Sequence, residues 1–242
     1  TVVALPGGVQ GVVLQRVGRL TEPAQRLLTL AAVYGQPFER AFLCTVAGGD
    51  ADAVDDNLEQ CMRRRLIHQS PISALYDFTH DKIRAVLYNA AGPQRAILHG
   101  QVMAALERLY AGRLEPIVEQ LAHHAEQAGD REKALVYLPL AAGRAARLYA
   151  HMEALGYYER ALQLLTADDP RRWPLLLETG RVLRNLSRYD EALAACQQVV
   201  AGEDRHAAIA AAIEMSAIYR SRLDYAKARV WVAQVERLLE AL

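Results

Sequence analysis

The chain has 242 residues, enough for two domains with a sizeable core, and 52% of them are apolar, which excludes intrinsic disorder. Its 28 basic residues are balanced by 28 acidic ones, so it lacks the positive field with which proteins bind nucleic acids. No apolar run approaches the roughly 18 residues that cross a bilayer, so neither nucleic acid nor a membrane is an expected partner.

The first half of the chain predicts short helices and one β-hairpin. Thr21 as N-cap and Gly35 as C′ glycine mark the ends of one helix, and Thr79 is expected to cap another. Two β-favouring stretches lie on either side of a turn at Ser70-Pro71. Helices are expected at residues 9–20, 21–35, 39–47, 50–66, 79–89 and 94–110. This order of helices and hairpin is typical of a winged-helix domain, which we place at residues 1–112.

The second half contains a repeated pattern centred on small residues. The segment Tyr189 to Leu193 (YDEAL) is echoed by DYAKA at 224–228, so Ala192 and Ala228 lie 36 residues apart. Ala154 lies in a similar run, 38 residues before Ala192. A period in the mid-thirties with small residues at fixed points predicts stacked helical hairpins. We therefore expect residues 113–242 to form tetratricopeptide-like (TPR-like) repeats, and the whole chain to be all-α apart from the small hairpin.

Helix crossings give the register of these repeats. Gly180 and Ser216 fill the small position of the first helix of a hairpin, and Ala192 and Ala228 fill that of the second. Upstream the spacing is irregular, because Ala134 and Ala154 both resemble second-helix alanines yet are only 20 residues apart. Three helices are therefore expected to occupy the space that two hairpins would normally use.

The first helix of each TPR hairpin lines the concave, partner-binding face. Four polar residues are predicted to lie there and to bind carboxylates of an acidic peptide or ligand: Arg181, Arg184, Asn185 and Arg220. The alternative is a solvated face, or salt links within the chain.

Other kinds of site find little support in the sequence. His123 and His124 are adjacent, so on a helix they diverge by about 100° and cannot hold one ion by themselves. Glu119 shares a face with His123, but two ligands are too few for zinc. We therefore expect no metal site. No nucleophile stands beside an activating base, so we also expect no catalysis.

DNA binding by the winged helix is a further possible function. Arg63, Arg64 and Arg65 favour it, yet the helix that they end is acidic over its earlier part. Recognition helices read bases mainly from that N-terminal part, so we expect an internal interface or a solvated face instead.

The cysteines predict the compartment of the protein, and the first residue bears on its length. Cys44, Cys61 and Cys196 follow no disulfide or metal spacing, which predicts a reducing compartment and hence the cytoplasm. Thr1 is not an initiator methionine, so we expect a piece of a longer protein.

Three runs in the first half resemble a known family: LAAVYGQPF at 30–38, YDFTHDKIR at 76–84 and QRAILH at 94–99. They are similar to the winged-helix and repeat segments of bacterial STAND signal-transduction ATPases, which include LuxR-type and antibiotic-regulatory transcription activators. The resemblance implies that an ATPase module precedes this segment and that ATP or ADP binds there. The chain itself has no phosphate-binding G-x-x-x-x-G-K-[ST] loop, so no cofactor is expected in it.

The resemblance also implies a regulatory role. The winged helix would hold the nucleotide domain closed, and the repeats would receive a protein, peptide or small-inducer signal that releases it. The alternative is a scaffold whose repeats join two proteins without any nucleotide.

One residue can be matched to the family individually. His80 falls where related ATPases have a histidine that touches the β-phosphate of ADP. With Thr79 as cap, His80 would lie in the first helical turn, where free N–H groups favour an anion. The alternative is a packing residue beside Tyr76 and Phe78, with Asp81 complementing the helix dipole.

Overall fold

The computed structural model describes residues 7–48 and 50–240. The chain divides into two compact units, residues 1–130 and 131–242. Residues 113–130, which the sequence groups with the repeats, cluster with the first unit. Among the described residues, none of the helices combines the length and the apolar character of a membrane-spanning segment.

The described residues of unit 1 form helices and one small hairpin, joined by turns and loops. Its elements are α1 (Gly7–Val17), α2 (Glu22–Tyr34), α3 (Arg40–Ala47), α4 (Ala51–Arg63), β1 (Ile67–Gln69), β2 (Tyr76–Phe78), α5 (Asp81–Ala90), α6 (Arg95–Leu109) and α7 (Val118–Ala128). Short 3-10 turns at Gly92–Gln94 and Glu115–Ile117 precede α6 and α7. The helices and hairpin predicted from the sequence are confirmed, with ends shifted by a few residues.

The core of unit 1 surrounds α2, which packs against α4, α5 and α6. The hairpin pairs Ile67 with Phe78 in an antiparallel register. Phe38, just before α3, forms a β-bridge with Tyr76 through N–H···O bonds of 2.9 and 2.8 Å. The buried side chains of Phe38 and Phe78 meet there edge to face at 6.4 Å, so the hairpin is fixed to the helical core.

The two caps assigned to α2 have different outcomes. Gly35 adopts φ 79° and its N–H bonds to the carbonyl of Ala31, which confirms the C′ glycine. Thr21 does occupy the N-cap position, but its side chain makes no capping bond. Its hydroxyl lies 3.4 Å from Oδ1 of Asn57 and 3.3 Å from Oε1 of Gln60, so it links α2 to α4 instead.

Over residues 131–240, unit 2 forms six helices arranged as three consecutive hairpins: α8 (Arg131–Arg147), α9 (His151–Gln163), α10 (Arg172–Asn185), α11 (Tyr189–Val200), α12 (Arg205–Ser221) and α13 (Tyr225–Glu240). The second helix of each hairpin packs on the first helix of the next, at α9–α10 and α11–α12. The first helices α10 and α12 also touch each other. This is the TPR-like arrangement that the mid-thirties period predicts.

The turn inside each hairpin has the same backbone geometry. Tyr149, Ser187 and Leu223 all lie in the left-handed region, at φ 61°, 59° and 61°. The following N–H then bonds to the carbonyl five residues earlier, from Ala150 to Ala145, Arg188 to Leu183 and Asp224 to Tyr219, each at 2.9 Å. These are Schellman-type helix ends, and their spacings of 38 and 36 residues equal those of the repeated alanines.

This turn also explains the irregular upstream spacing. Gly129, at φ 71°, ends α7 with the same bond, from Asp130 N–H to the Ala125 carbonyl at 3.0 Å. The repeated alanine follows each left-handed residue by five positions, and all four are buried: Ala134, Ala154, Ala192 and Ala228. Ala134 and Ala154 are 20 residues apart because α8 alone separates the turn at Gly129 from the turn at Tyr149. That three helices share the space of two hairpins stays a prediction.

Candidate functional sites

The face of unit 2 formed by α10 and α12 carries a compact charge cluster. Arg181 and Arg184 lie one turn apart on α10, and α12 brings Glu214 against them. Nε of Arg184 is 2.5 Å from Oε1 of Glu214, and Nε of Arg181 is 3.7 Å from Oε2. The Glu214 residue is 7% exposed, so its carboxylate is compensated mainly by these guanidinium groups.

Arg181 also forms an ion pair with Glu178 on the exposed surface of α10. One of its terminal nitrogens is 2.5 Å from Oε1 of Glu178, and both side chains are exposed by more than two fifths. Salt links within the chain, the alternative to a carboxylate-binding surface, are thus present for Arg181 and Arg184. Asn185 and Arg220 are exposed, at the end of α10 and near the end of α12. That all four bind a partner stays a prediction.

A second candidate site surrounds His80, whose position differs from the expected one. The helix α5 begins at Asp81, and His80 is its N-cap residue with an extended backbone, φ −148° and ψ 138°. Thr79 is therefore not the cap: its hydroxyl donates to the Arg65 carbonyl at 3.1 Å, and its N–H to that of Leu66 at 3.0 Å. The prediction that His80 lies in the first helical turn is wrong, because Thr79 is held by the short link between α4 and β1 and the helix begins two residues later, at Asp81.

The surroundings of His80 are nevertheless suited to an anion. His80 is exposed, whereas Tyr76 and Phe78 are buried, so it is not a core packing residue. It lines a cleft of about 510 Å³ together with the basic residues Arg16 and Lys82. Gly8 and four apolar residues form the rest of the lining: Val12, Val13, Leu66 and Ile83. Asp81 forms an ion pair with Arg84, in which its Oδ1 atom is 3.2 Å from a terminal guanidinium nitrogen.

Sequence reasoning missed three of the residues that complete these sites. Glu214 could have been noticed as a lone acid in the Ala-rich stretch 207–217, at a position that faces the preceding hairpin. Arg16 gave no signal, because its proximity to His80 depends on how α1 packs against α5. Lys82 could have been noticed, since it follows His80 by two residues.

A histidine that lies beside His123 and His124 was also missed. His99 on α6 lies against His123 and His124 on α7. It would have been found only by pairing these two helices as antiparallel neighbours, since 24 residues separate it from His123.

Comparison with solved structures supports the fold. A STAND protein with a tetratricopeptide repeat sensor from Pyrococcus horikoshii is similar over 99% of this chain, with a TM-score of 0.64 and 14% identity. This chain spans 35% of that protein's length. At such low identity the likeness shows the fold alone: a TPR-like helical fold of the kind found in a STAND protein with a repeat sensor.

Two further likenesses are looser. A putative kinesin light chain with TPR-like repeats from Podosopora anserina has a TM-score of 0.45 and 16% identity, over 91% of this chain and 97% of its own. BtubC from P. vanneervenii has a TM-score of 0.40 and 20% identity, over 66% of this chain and 78% of its own. Both are too distant to define this fold. No protein-family model matches the chain, and no curated protein matches it significantly.

Proposed function

We propose that this chain is the sensor-side segment of a STAND-type regulator, and that its repeats bind a protein, peptide or small inducer. The observation that carries the proposal is the likeness to the Pyrococcus horikoshii STAND protein, which extends over both units at a TM-score of 0.64. The order of helices, hairpin and repeats in the sequence supports the same reading. The first unit would act as the winged helix of the family.

The α10–α12 face of unit 2 is the proposed partner surface. Glu214 already holds Arg184 in one orientation, so Arg184 loses little side-chain conformational entropy when a partner binds to it. Arg181 shares its outer donors with Glu178, an exposed pair of little net stability, so an incoming carboxylate could replace Glu178 at small cost. Arg220 adds exposed positive charge further along α12. The surface therefore favours an acidic peptide or a carboxylate ligand.

The cleft around His80 is the proposed contact with the nucleotide module. Arg16, His80 and Lys82 supply hydrogen-bond donors and positive charge, which fits a phosphate group of ADP or ATP held by a preceding domain. His80 can donate whether neutral or protonated, and Lys82 adds a fixed charge. In this proposal the first unit keeps the ADP-bound state closed, and a signal on the repeats releases it.

No catalytic step is proposed for this segment. The intact protein would act in the cytoplasm, and control of transcription is its proposed output. The second candidate is a nucleotide-independent scaffold, favoured by the repeat fold of unit 2 taken alone.

Nucleotide binding by the intact protein tests the proposal. We expect His80→Ala to weaken ADP retention about 10-fold or more and to raise basal output, because a charge-assisted contact worth about 1.5–3 kcal/mol is lost. The matched control is His206→Ala, an exposed histidine at the start of α12. An intact protein that binds no ADP or ATP would overturn the STAND reading and leave the scaffold.

A further inference from the structure

We propose that His99, His123 and His124 form a binding site for a divalent transition-metal ion, with zinc as the best match. One ring nitrogen from each histidine lies within 4.8 Å of the other two. Imidazole nitrogen is a preferred ligand of zinc, and three histidines with one open position are an established zinc arrangement. The inference is independent of the sensor role.

The facing helix removes the objection that adjacent histidines cannot share an ion. His123 and His124 diverge around α7, but His99 enters from α6, which packs against α7. The His99 ring centroid is 5.0 Å from that of His124 and 5.7 Å from that of His123. His99 therefore lies beside both rings, and an ion held by it is within reach of each of them.

The two buried histidines form the fixed part of the site. His99 and His124 are each 1% exposed, and their Nδ1 atoms are 2.8 Å apart. Tetrahedral zinc with Zn–N bonds of about 2.0–2.1 Å would separate its ligand nitrogens by about 3.3 Å. A shift of about half an ångström between these rings is then sufficient. His123 is exposed and can rotate to close the remaining distance.

A neighbouring hydroxyl can orient one of the buried ligands. Tyr88 lies with its hydroxyl 3.2 Å from Nε2 of His99. When Nδ1 of His99 binds an ion, Nε2–H can donate to this hydroxyl, as outer-shell partners of metal-bound histidines do.

A cleft gives the site access to solvent. It measures about 490 Å³ and is lined by His99 and His123 together with Tyr34, Tyr88 and Arg84. The open coordination position would face this cleft and take a small ligand from solvent. Arg84, also on the cleft wall, and Arg95, 5.3 Å from the centre of the Tyr88 ring, are positive, so they oppose a bare cation and favour an anionic fourth ligand.

Zinc titration of the chelator-treated chain tests the site. Competition with a chromophoric chelator should give one Zn²⁺ per chain, and Co²⁺ should give the visible absorption of a tetrahedral ion. His123→Ala, at an exposed position that leaves the fold intact, should weaken binding on the order of 100-fold. Tyr88→Phe should weaken it on the order of 10-fold, as loss of an outer-shell partner does. The matched control is His68→Ala, an exposed histidine on β1 of the same unit.

The alternative is a metal-free hydrogen bond between the Nδ1 atoms of His99 and His124. It predicts no stoichiometric Zn²⁺ binding, or binding that His123→Ala leaves unchanged, and either result would overturn the proposal. His99→Gln and His124→Gln should abolish binding, with folding checked by circular dichroism in the absence of metal. Binding that survives in a folded His99→Gln chain would be adventitious and would also overturn it.

Discussion

Gly180 of α10 lies so close to Cys196 of α11 that a Cβ atom on the glycine would be 2.8 Å from the cysteine sulfur. The same Cβ would be 3.4 Å from the Ala192 carbonyl oxygen. One repeat later, Ser216 of α12 donates its hydroxyl to the Ala228 carbonyl at 3.2 Å. Positions 180 and 216 therefore mark equivalent helix crossings, with a missing side chain at one and a short hydrogen-bonding one at the other.

Adding a methyl group at the first crossing should destabilise the repeats. For Gly180→Ala we expect a loss of about 1–3 kcal/mol in the free energy of unfolding, because Cys196 is buried and has little room to shift. Urea denaturation followed by circular dichroism measures the change. Gly156→Ala in α9 is the matched control, since no atom lies within 4 Å of its added Cβ. There we expect a gain of about 0.5–1 kcal/mol from helix propensity.

A second substitution tests the assigned cause. Cys196→Ala removes the sulfur that the new methyl group would meet, so Gly180→Ala should cost less in that background. Additive effects in this double-mutant cycle would contradict the crossing described here.

The repeat architecture could be predicted only where a feature of the fold requires a particular kind of residue at a particular position in the sequence. The small residues Gly180, Ala192 and Ala228 gave the period and register, because close crossings admit few side chains. The turns at Tyr149, Ser187 and Leu223 gave no signal, since none of them contains the glycine that usually marks a left-handed helix end. They are held by hairpin packing, which no short window of sequence contains.

The buried carboxylate of Glu214 should matter more than its exposed counterparts. For Glu214→Gln we expect a loss of about 1–2 kcal/mol, because Arg181 and Arg184 lose their shared counter-charge while remaining partly solvated. Glu191→Gln is the control: this carboxylate is 57% exposed beside Arg188 and should leave the melting temperature unchanged. Equal melting of the two variants would show that Glu214 contributes no more than a surface ion pair.

The three cysteines should differ sharply in reactivity. Burial raises the pKa of the Cys61 and Cys196 thiols from 9.0 to about 12, so both stay protonated and covered at pH 8. Cys44 is only half-buried. Iodoacetamide should therefore modify Cys44 first in the native chain and all three in urea, as read by peptide mass spectrometry. Labelling of Cys196 as fast as Cys44 would mean that the α10–α11 contact opens readily.

The candidate sites were less predictable than the fold because they join distant segments. Arg181 and Arg184 were found from their spacing on one helix, but Glu214 comes from the next hairpin. His80 was found by resemblance, while its true place as N-cap depends on Thr79 bonding back to Arg65. Tertiary contacts decided each of these outcomes.

The left-handed turns of unit 2 have a consequence for recognising distant relatives. Tyr149, Ser187 and Leu223 share a φ angle near 60° although their side chains are chemically different. The turn can therefore be preserved in evolution while the amino acid at this position changes. An alignment anchored on glycines would shift such chains out of register. One anchored five residues downstream, on the buried alanines, would keep every hairpin superimposed.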